Sequence, residues 1–278
     1  WKWDYVLAEL RRRGWTPPRG TLLDWGCGSG IAGRAFLDHF GADSVASLAV
    51  WDRSSLAMNF AARRAAAKYP GLRVGTGIPE SPALVLVSHV LTELDSTAAQ
   101  HLADFAATAT AVIWIEPGTY ESSLALIAVR ERLRATMNVV APCTHSAACG
   151  ILAPGNEPHW CHHFASPPPE IFIDGDWSRF ENLIGIDLTS LPLSFLVLDR
   201  RPALRVPAGA VRVIGRPRIY KPAARFLACD AAGVAEFSLA KRDHPDEFRR
   251  IKKGDSDPLQ IWHRTGDQIT AVEKFPTP

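Results

Sequence analysis

The chain has 278 residues and a formal net charge of +2, with 47% hydrophobic and 22% charged residues. This balance is typical of a globular protein and excludes a disordered chain. No run of about 18 consecutive apolar residues is present, which excludes a conventional membrane-spanning helix. The sequence begins with Trp1 rather than methionine, so we expect the natural N-terminus to have been trimmed.

Charge is distributed unevenly along the chain. Residues 1–195 carry 15 Lys and Arg against 19 Asp and Glu, whereas residues 196–278 carry 16 against 10. A basic segment at one end is typical of proteins that bind a polyanion, although a solvated surface can have the same composition. The pattern favours a polyanionic partner for the last third of the chain.

The first half of the chain alternates between helical and strand patterns. A helix is predicted up to about Arg13-Gly14. It is followed in chain order by the strand TLLDWG, the helix IAGRAFLDHF, the strand SVASLAVWD, the helix SLAMNFAARRAAAKY, the strands LRVGTGI and ALVLVSHVL, the helix TAAQHLADFAATA, the strand AVIWIEPG and the helix SSLALIAVRERLRA. Strands that alternate with helices of about 10–15 residues indicate βαβ units, and hence a parallel sheet covered on both faces.

The alternation stops after residue 139. The next stretch is rich in Cys, His, Gly and Pro, and SFLVLDRR then returns as a strand. Short strands are predicted for VRVIGRPRIY, ARFLACDAAG and VAEFSLAKRD, and a short basic helix for DEFRRIKKGD. We therefore divide the chain into an α/β core at residues 1–139, a Cys- and His-rich segment with a return strand at 140–198, and a basic β-rich appendage at 199–278.

A glycine-rich turn, Asp24-Trp25-Gly26-Cys27-Gly28-Ser29-Gly30, joins the first predicted strand to the next helix. Glycines let the backbone turn tightly and approach a ligand, and the N–H groups at the start of the helix can bind it. Asp52 follows the second strand, where a carboxylate holds ribose hydroxyls in nucleotide-binding sheets. The alternative is a glycine turn without a ligand, but strand, turn, helix and acid together favour a cofactor site.

The spacing D-x-G-x-G-x-G resembles motif I of class I S-adenosylmethionine-dependent methyltransferases. The resemblance implies that Asp24 assists the methionine amino group and that Asp52 holds the ribose. It also implies that three glycines shape the cofactor turn, namely Gly26, Gly28 and Gly30.

The end of the fourth strand borders the same predicted cleft. Ser88 is expected to contact the cofactor, and His89 is a candidate general base, with a hydrogen-bonded structural histidine as the alternative. Cys27 is expected to pack as a small apolar side chain. Base-methylating enzymes often carry an N/D-P-P-Y/F tetrad after the fourth strand, where this chain has SHVL. No other catalytic residue is therefore assigned.

Four of the five cysteines lie in the second half of the chain, at Cys143, Cys149, Cys161 and Cys229. Histidines are interleaved with them, and four thiolates complete either a zinc site or a four-iron cluster. The spacing is not the C-x₂-C pairing of zinc ribbons. Scattered buried cysteines are the alternative, but the loop composition favours a metal.

Several sequence blocks together resemble the ribosome-associated, methyltransferase-like proteins of the mitochondrial small subunit and their bacterial relatives. The blocks are DWGCGSG, SHVLTEL, IEPGT, APCTHSAAC, HWCHHF, LVLDRRP, GRPRIYKPA and FRRIKKGD, between about Leu22 and Asp255. The resemblance implies a Rossmann-like class I methyltransferase sheet with a Cys-rich metal-binding insertion. It also implies a [4Fe–4S] cluster on the four cysteines, where spacing alone leaves zinc open.

Two functions follow from this resemblance, and they are favoured over a third, a small-molecule methyltransferase, for which the basic end would have no use. One is an enzyme that methylates ribosomal RNA or a ribosomal protein of the small subunit with S-adenosylmethionine. The other is a non-catalytic assembly factor that binds the same RNA with a structural metal site. The RNA contacts are expected at Arg249, Arg250, Lys252 and Lys253. We expect a monomer away from the ribosome, located in the cytoplasm of a prokaryote or in the mitochondrial matrix of a eukaryote.

Overall fold

A computed structural model describes residues 1–276 and consists of an eight-stranded α/β sheet followed by a closed five-stranded barrel. The α/β part contains, in chain order, α1 (Lys2–Arg12), β1 (Thr21–Trp25), α2 (Ile31–Phe40), β2 (Ser47–Trp51), α3 (Ser55–Lys68), β3 (Val74–Thr76), β4 (Leu84–Ser88), α4 (Ser96–Ala106), β5 (Ala111–Pro117), α5 (Tyr120–Leu133), β6 (Asn138–Ala141), β7 (His163–Ala165), α6 (Glu170–Ile173), α7 (Gly175–Ile184) and β8 (Leu191–Asp199). The helices and strands predicted from periodicity up to α5 are confirmed.

The sheet has the order β3-β2-β1-β4-β5-β8-β6, with β7 also paired to β8. Strands β1 to β5 are parallel, as predicted. Alternate residues of β4 enter two different cores, Leu84 and Leu86 on one face and Val85 and Val87 on the other. Both faces of the sheet are therefore buried under helices, which explains why the strand is continuously apolar.

The return strand, whose direction the sequence did not predict, adds an antiparallel strand to the sheet. Strand β8 lies between β5 and β6 and is antiparallel to both, so the segment from 140 to 198 completes the sheet of the core. Helices α6 and α7 and strands β6 and β7 within or beside this segment were not predicted, because they are short and lack clear periodicity. No helix within residues 1–276 is long and apolar enough to cross a membrane.

The appendage is a barrel of five strands that closes in the order β10-β11-β13-β12-β9. Its elements are β9 (Ala210–Ile219), β10 (Ala223–Asp230), β11 (Gly233–Ala240), α8 (Pro245–Lys252), β12 (Leu259–Thr265) and β13 (Gln268–Lys274). Phe226, Phe248 and Trp262 fill one core. A five-stranded Greek-key barrel with a helix between its third and fourth strands has the OB-fold architecture. Strands β12 and β13 were not predicted.

A buried ion cluster joins the barrel to the α/β part. Glu9 on α1 accepts hydrogen bonds from Arg13 Nε at 2.9 Å and from Arg212 on β9, and all three side chains are at most 3% exposed. Both guanidinium groups also donate to the Pro142 carbonyl, Arg13 at 2.7 Å and Arg212 at 3.0 Å. The cluster therefore links the first helix, the start of the Cys-rich segment and the first strand of the barrel.

Candidate functional site

The glycine turn between β1 and α2 has the backbone of a ligand-binding loop. Gly26, Gly28 and Gly30 have φ of 67°, 50° and 74°, in the left-handed region that glycine adopts without steric cost. A Cβ on Gly30 would lie 2.8 Å from the Ala61 side chain, whereas one on Gly28 would meet nothing within 4 Å. The turn therefore needs glycine for its conformation, and at Gly28 the backbone faces open space.

Two carboxylates accept hydrogen bonds from the backbone of the turn and of the helix that follows it. Asp24 is 1% exposed, and its Oδ2 accepts the Gly33 N–H at 2.8 Å. Asp52 accepts the Gly28 N–H through Oδ2 and the Ser54 N–H through Oδ1, each at 2.8 Å. A carboxylate has about four lone-pair positions, so Asp52 can still accept ribose hydroxyls while it orders the turn.

The buried position of Asp24 destabilises its ionised form, because no cationic side chain forms an ion pair with it in the described residues. Burial is the main cause that raises the pKa of Asp24 from its usual 3.8 to about 7. The native state therefore retains this proton between about pH 4 and 7, and stability falls as the pH rises through that range.

We expect Asp24→Asn to stabilise the cofactor-free protein, because the amide oxygen still accepts the Gly33 N–H and carries no charge. The gain in the free energy of unfolding should be roughly 2–3 kcal/mol larger at pH 8 than at pH 5, measured by urea denaturation of both proteins. A gain that does not change with pH would show that the Asp24 carboxyl does not titrate in this range.

The turn opens into a cleft of about 430 Å³ at the carboxyl ends of the strands, which is within the range of about 300–1,000 Å³ typical of small-molecule sites. The cleft is lined by Asp24, Gly26, Cys27, Gly28, Ile31, Ala32, Ser88 and His89, together with Trp1, Lys2, Trp3 and Leu191. Two predicted site residues, Asp52 and Gly30, are not among these lining residues, and Asp52 contacts the cleft-lining Gly28 through its backbone N–H. The three residues at the start of α1 were missed, because nothing local in the sequence places a helix end over this cleft.

The segment after β4 places two predicted site residues at the cleft. Ser88 Oγ accepts a hydrogen bond from Trp3 Nε1 at 3.3 Å. His89 has a φ of 58°, which is uncommon for a residue with a side chain. Glu116, buried on β5, accepts the N–H groups of Val90 and Leu91 at 3.2 Å and so stabilises this bend.

His89 and Cys27, the two other reactive side chains that line the cleft, are both neutral at pH 7. Burial and the nearby Lys2 ammonium lower the pKa of His89 to about 4, so the imidazole is neutral at pH 7 and is a poor general base. Burial, with the charges of Asp24 and Asp52, raises the pKa of the Cys27 thiol to about 12. Cys27 is 6% exposed and therefore packs as a neutral side chain.

The four cysteines of the second half lie around one buried region. Cys143, Cys149 and Cys161 line a cavity of about 30 Å³ beside Arg130, and Cys229 on β10 packs in the same apolar cluster as Cys149 and Cys161. Burial raises the pKa of the Cys161 thiol, and proximity to the other three cysteines raises it further. Within residues 1–276, no three His, Cys, Asp or Glu side chains are grouped closely enough to hold a single metal ion.

The Cys-rich loop is ordered by interactions that sequence reasoning did not identify. Arg130 on α5 donates to the carbonyls of His145 and Ala147 at 3.3 and 2.9 Å. His145 Nε2 lies 3.4 Å from Cys229 Sγ. This contact brings Cys229 on β10 next to the Cys-rich loop, which precedes it by more than 60 residues in the chain.

The predicted RNA-binding residues lie at the end of α8, and their surroundings differ. Arg249 pairs with Asp246 at 2.9 Å and Arg250 with Glu247 at 3.0 Å, both within the helix. Lys252 and Lys253 instead line a groove of about 540 Å³ between the barrel and the α/β part.

Similar solved structures have low sequence identity. A candidate RNA methyltransferase of Pyrococcus horikoshii is 10% identical, with a TM-score of 0.44 over 70% of this chain and 79% of its own. Protein 1320 of Thermoplasma acidophilum is 13% identical, with a TM-score of 0.43 over 71% and 87%. TrmK of M. capricolum, solved with S-adenosylhomocysteine, is 8% identical, with a TM-score of 0.39 over 72% and 69%. A comparison with curated protein sequences found no match.

The strand order, the glycine turn after β1 and the acid after β2 define the Rossmann-like sheet of class I S-adenosylmethionine-dependent methyltransferases. The family model for Rsm22, described as mitochondrial small ribosomal subunit Rsm22, matches residues 7–256. The chain therefore belongs to the Rsm22 family, which confirms the resemblance drawn from the sequence blocks.

Proposed function

We propose that this protein binds S-adenosylmethionine and acts on or with the RNA or proteins of the small ribosomal subunit during assembly. The observation that carries the proposal is the cleft itself, in which an ordered glycine turn and a buried carboxylate meet at the strand ends of a methyltransferase-type sheet. The family name supplies the partner. The corresponding location is the cytoplasm of a prokaryote or the mitochondrial matrix of a eukaryote.

The residues of the cleft fit S-adenosylmethionine. The methionine ammonium would give Asp24 the cation that its buried carboxylate lacks, and Asp52 has free lone pairs for two ribose hydroxyls. The glycine turn brings backbone close to the ligand, and Ser88 also lines the cleft. When bound, the cofactor supplies an electrophilic methyl group, and the chain's own residues orient it.

We expect Asp52→Ala to weaken S-adenosylmethionine binding on the order of 2–4 kcal/mol, because two hydrogen bonds to a charged acceptor are lost. Isothermal titration calorimetry measures the affinity directly. Asp104→Ala is the matched control, since Asp104 pairs with Arg132 on the exposed surface. Equal affinities of Asp52→Ala and the unmodified protein would remove Asp52 from the site.

A second function, a non-catalytic assembly factor, is favoured by one specific observation. After β4 the chain reads Ser88-His89-Val90-Leu91 in place of the N/D-P-P-Y/F tetrad of many base-methylating enzymes, and burial lowers the pKa of His89, the one candidate base, to about 4. Incubation of immature small subunits with radiolabelled cofactor separates the two functions. Label on RNA or protein indicates an enzyme, whereas tight cofactor binding without label transfer indicates the assembly factor.

We also propose that Cys143, Cys149, Cys161 and Cys229 hold the [4Fe–4S] cluster implied by the family resemblance. What supports this is the donor set: four thiols surround one buried region, and four thiolates are the ligands of such clusters. Zinc is the alternative with the same ligands. Either metal requires the Cys-rich loop to adjust, because the cavity is about 30 Å³ and the thiols are not grouped around a single point.

A further inference from the structure

The groove beside α8 has a strongly cationic lining. We call it the interdomain groove and define it by Tyr5, His163, Phe164, Arg216, Lys252 and Lys253. Three of these residues are cations, and no Asp or Glu is among the residues that line the groove in the described part of the chain. Its volume of about 540 Å³ suits a ligand of nucleotide size.

Two polar atoms in the walls of the groove lack partners. Tyr5 Oη and His163 Nδ1 are buried and form no hydrogen bond within residues 1–276. His163 is 2% exposed. A buried polar group without a partner is destabilising, so each atom is suited to a ligand that brings a hydrogen-bond acceptor or donor into the groove.

Arg216 is held in place at the edge of the groove. Its guanidinium lies 4.1 Å from the centre of the Phe164 ring and donates to Ser190 Oγ at 3.2 Å. The backbone here bulges out of the barrel, since Gly215 has a φ of 67° and donates to the His162 carbonyl at 2.8 Å. The bulge therefore both joins the barrel to β7 and directs a fixed cation into the groove.

Positive charge continues from the groove along the β9–β10 hairpin. Tyr220, Lys221 and Arg225 are exposed there, next to an Arg218 that pairs with Glu236, and the Arg225 guanidinium lies 5.5 Å from the centre of the Tyr220 ring. OB-fold barrels bind oligonucleotides on the sheet formed by their second and third strands and on adjoining loops. Cations with exposed aromatic rings are typical of single-strand binding.

We propose that the interdomain groove binds the phosphodiester backbone of single-stranded RNA, with Arg216, Lys252 and Lys253 as phosphate contacts. This inference rests on the proposed function for the identity of the partner, and it deepens it by naming the contact site. Of the four residues predicted to contact RNA, the proposal gives the groove contacts to Lys252 and Lys253, because Arg249 and Arg250 form ion pairs with acids of their own helix.

The test compares two variants of the full-length protein by fluorescence anisotropy with a single-stranded oligoribonucleotide of about 12–16 nucleotides. The triple variant Arg216→Ala, Lys252→Ala, Lys253→Ala should lose at least about tenfold in affinity at 0.1 M salt, and the slope of log K against log salt should fall by about 2. The control Arg249→Ala, Arg250→Ala should stay within about twofold. Equal losses of affinity in both variants would show that RNA binds by general electrostatic attraction rather than in the groove, and would overturn the proposal.

Tyr5→Phe tests the groove without changing charge. Affinity for the oligoribonucleotide should fall by roughly threefold to tenfold, while the melting temperature should not fall, because a buried hydroxyl without a partner is removed. An unchanged affinity would contradict a ligand at Tyr5.

Three further outcomes separate the alternatives. Equal binding of an RNA duplex overturns the single-strand assignment, and competition by inorganic phosphate alone indicates an anion site rather than an RNA site. If the variants bind small subunits normally but not RNA, the partner at this surface is a protein. The groove variants should bind S-adenosylmethionine as tightly as the unmodified protein in calorimetry. If the unmodified protein binds RNA in the groove but does not bind S-adenosylmethionine, the proposed function is overturned and the groove proposal stands.

Discussion

Glu9→Gln should lower the free energy of unfolding by about 3–5 kcal/mol, the cost of leaving buried charges without their partner. Within residues 1–276, Glu9 is the only acid that pairs with Arg13 and Arg212 in the buried cluster, and the neutral amide leaves two guanidinium groups uncompensated. Chemical denaturation measures the loss. Because Arg212 belongs to the barrel, hydrogen exchange should also increase along the surface where the barrel meets α1.

The matched control is Glu236→Gln, which removes the carboxylate of the Arg218–Glu236 pair on the exposed face of the barrel. Exposed pairs contribute roughly 0–1 kcal/mol, so this variant should be nearly as stable as the unmodified protein. Losses of similar size in the two variants would mean that the buried cluster has no special role in joining the two parts.

The Glu9 cluster should also make the stability of the protein depend on pH in strong acid. The guanidinium groups of Arg212 and Arg13 lower the pKa of Glu9 against the opposing effect of burial. A lowered native pKa gives stability that is present above the ordinary pKa of Glu and is lost as the pH falls through the native value. The stability difference between the unmodified protein and Glu9→Gln should therefore decrease in strong acid.

Cys229→Ser should remove the metal and loosen the barrel selectively, since Cys229 is the one proposed ligand that lies on the barrel. The proposed metal would link β10 to the Cys-rich loop, and its loss should lower the free energy of unfolding by about 2–5 kcal/mol, as for a comparable covalent cross-link. Metal and sulfide analysis of anaerobically purified protein gives the metal content, and thermal melting gives the stability. RNA binding should weaken as well, because the interdomain groove is built from both parts.

Cys27→Ser is the control for this experiment, because Cys27 is also buried but lies in the cofactor turn. It should retain the metal. A brown protein whose broad visible absorbance is bleached by dithionite indicates the iron–sulfur cluster. A colourless protein with stoichiometric zinc contradicts the cluster but supports a metal that links the loop to the barrel. Unchanged metal content and melting of Cys229→Ser would contradict both.

The sequence by itself determined the local structure and the cofactor turn. Strands β1, β2, β4 and β5 are marked by apolar runs bounded by turn residues, α2 and α4 by a 3.6-residue period and α3 by its alanine content, so neighbouring residues are enough to predict them. The glycine turn was predictable for the same reason, since Gly26, Gly28 and Gly30 act within a few residues of one another. The sequence blocks that identify the Rsm22 family could also be recognised from the sequence.

Only the tertiary structure decided which distant residues meet. Arg212 stands in an apolar strand pattern, and its pairing with Glu9 depends on how the barrel packs against α1. Strand β8 reads as an ordinary strand, and its antiparallel place between β5 and β6 is set by the path of the intervening chain. The four charges of α8 are adjacent in sequence, yet helical spacing pairs two with acids and leaves Lys252 and Lys253 at the groove. Such contacts depend on packing between elements, which local periodicity does not encode.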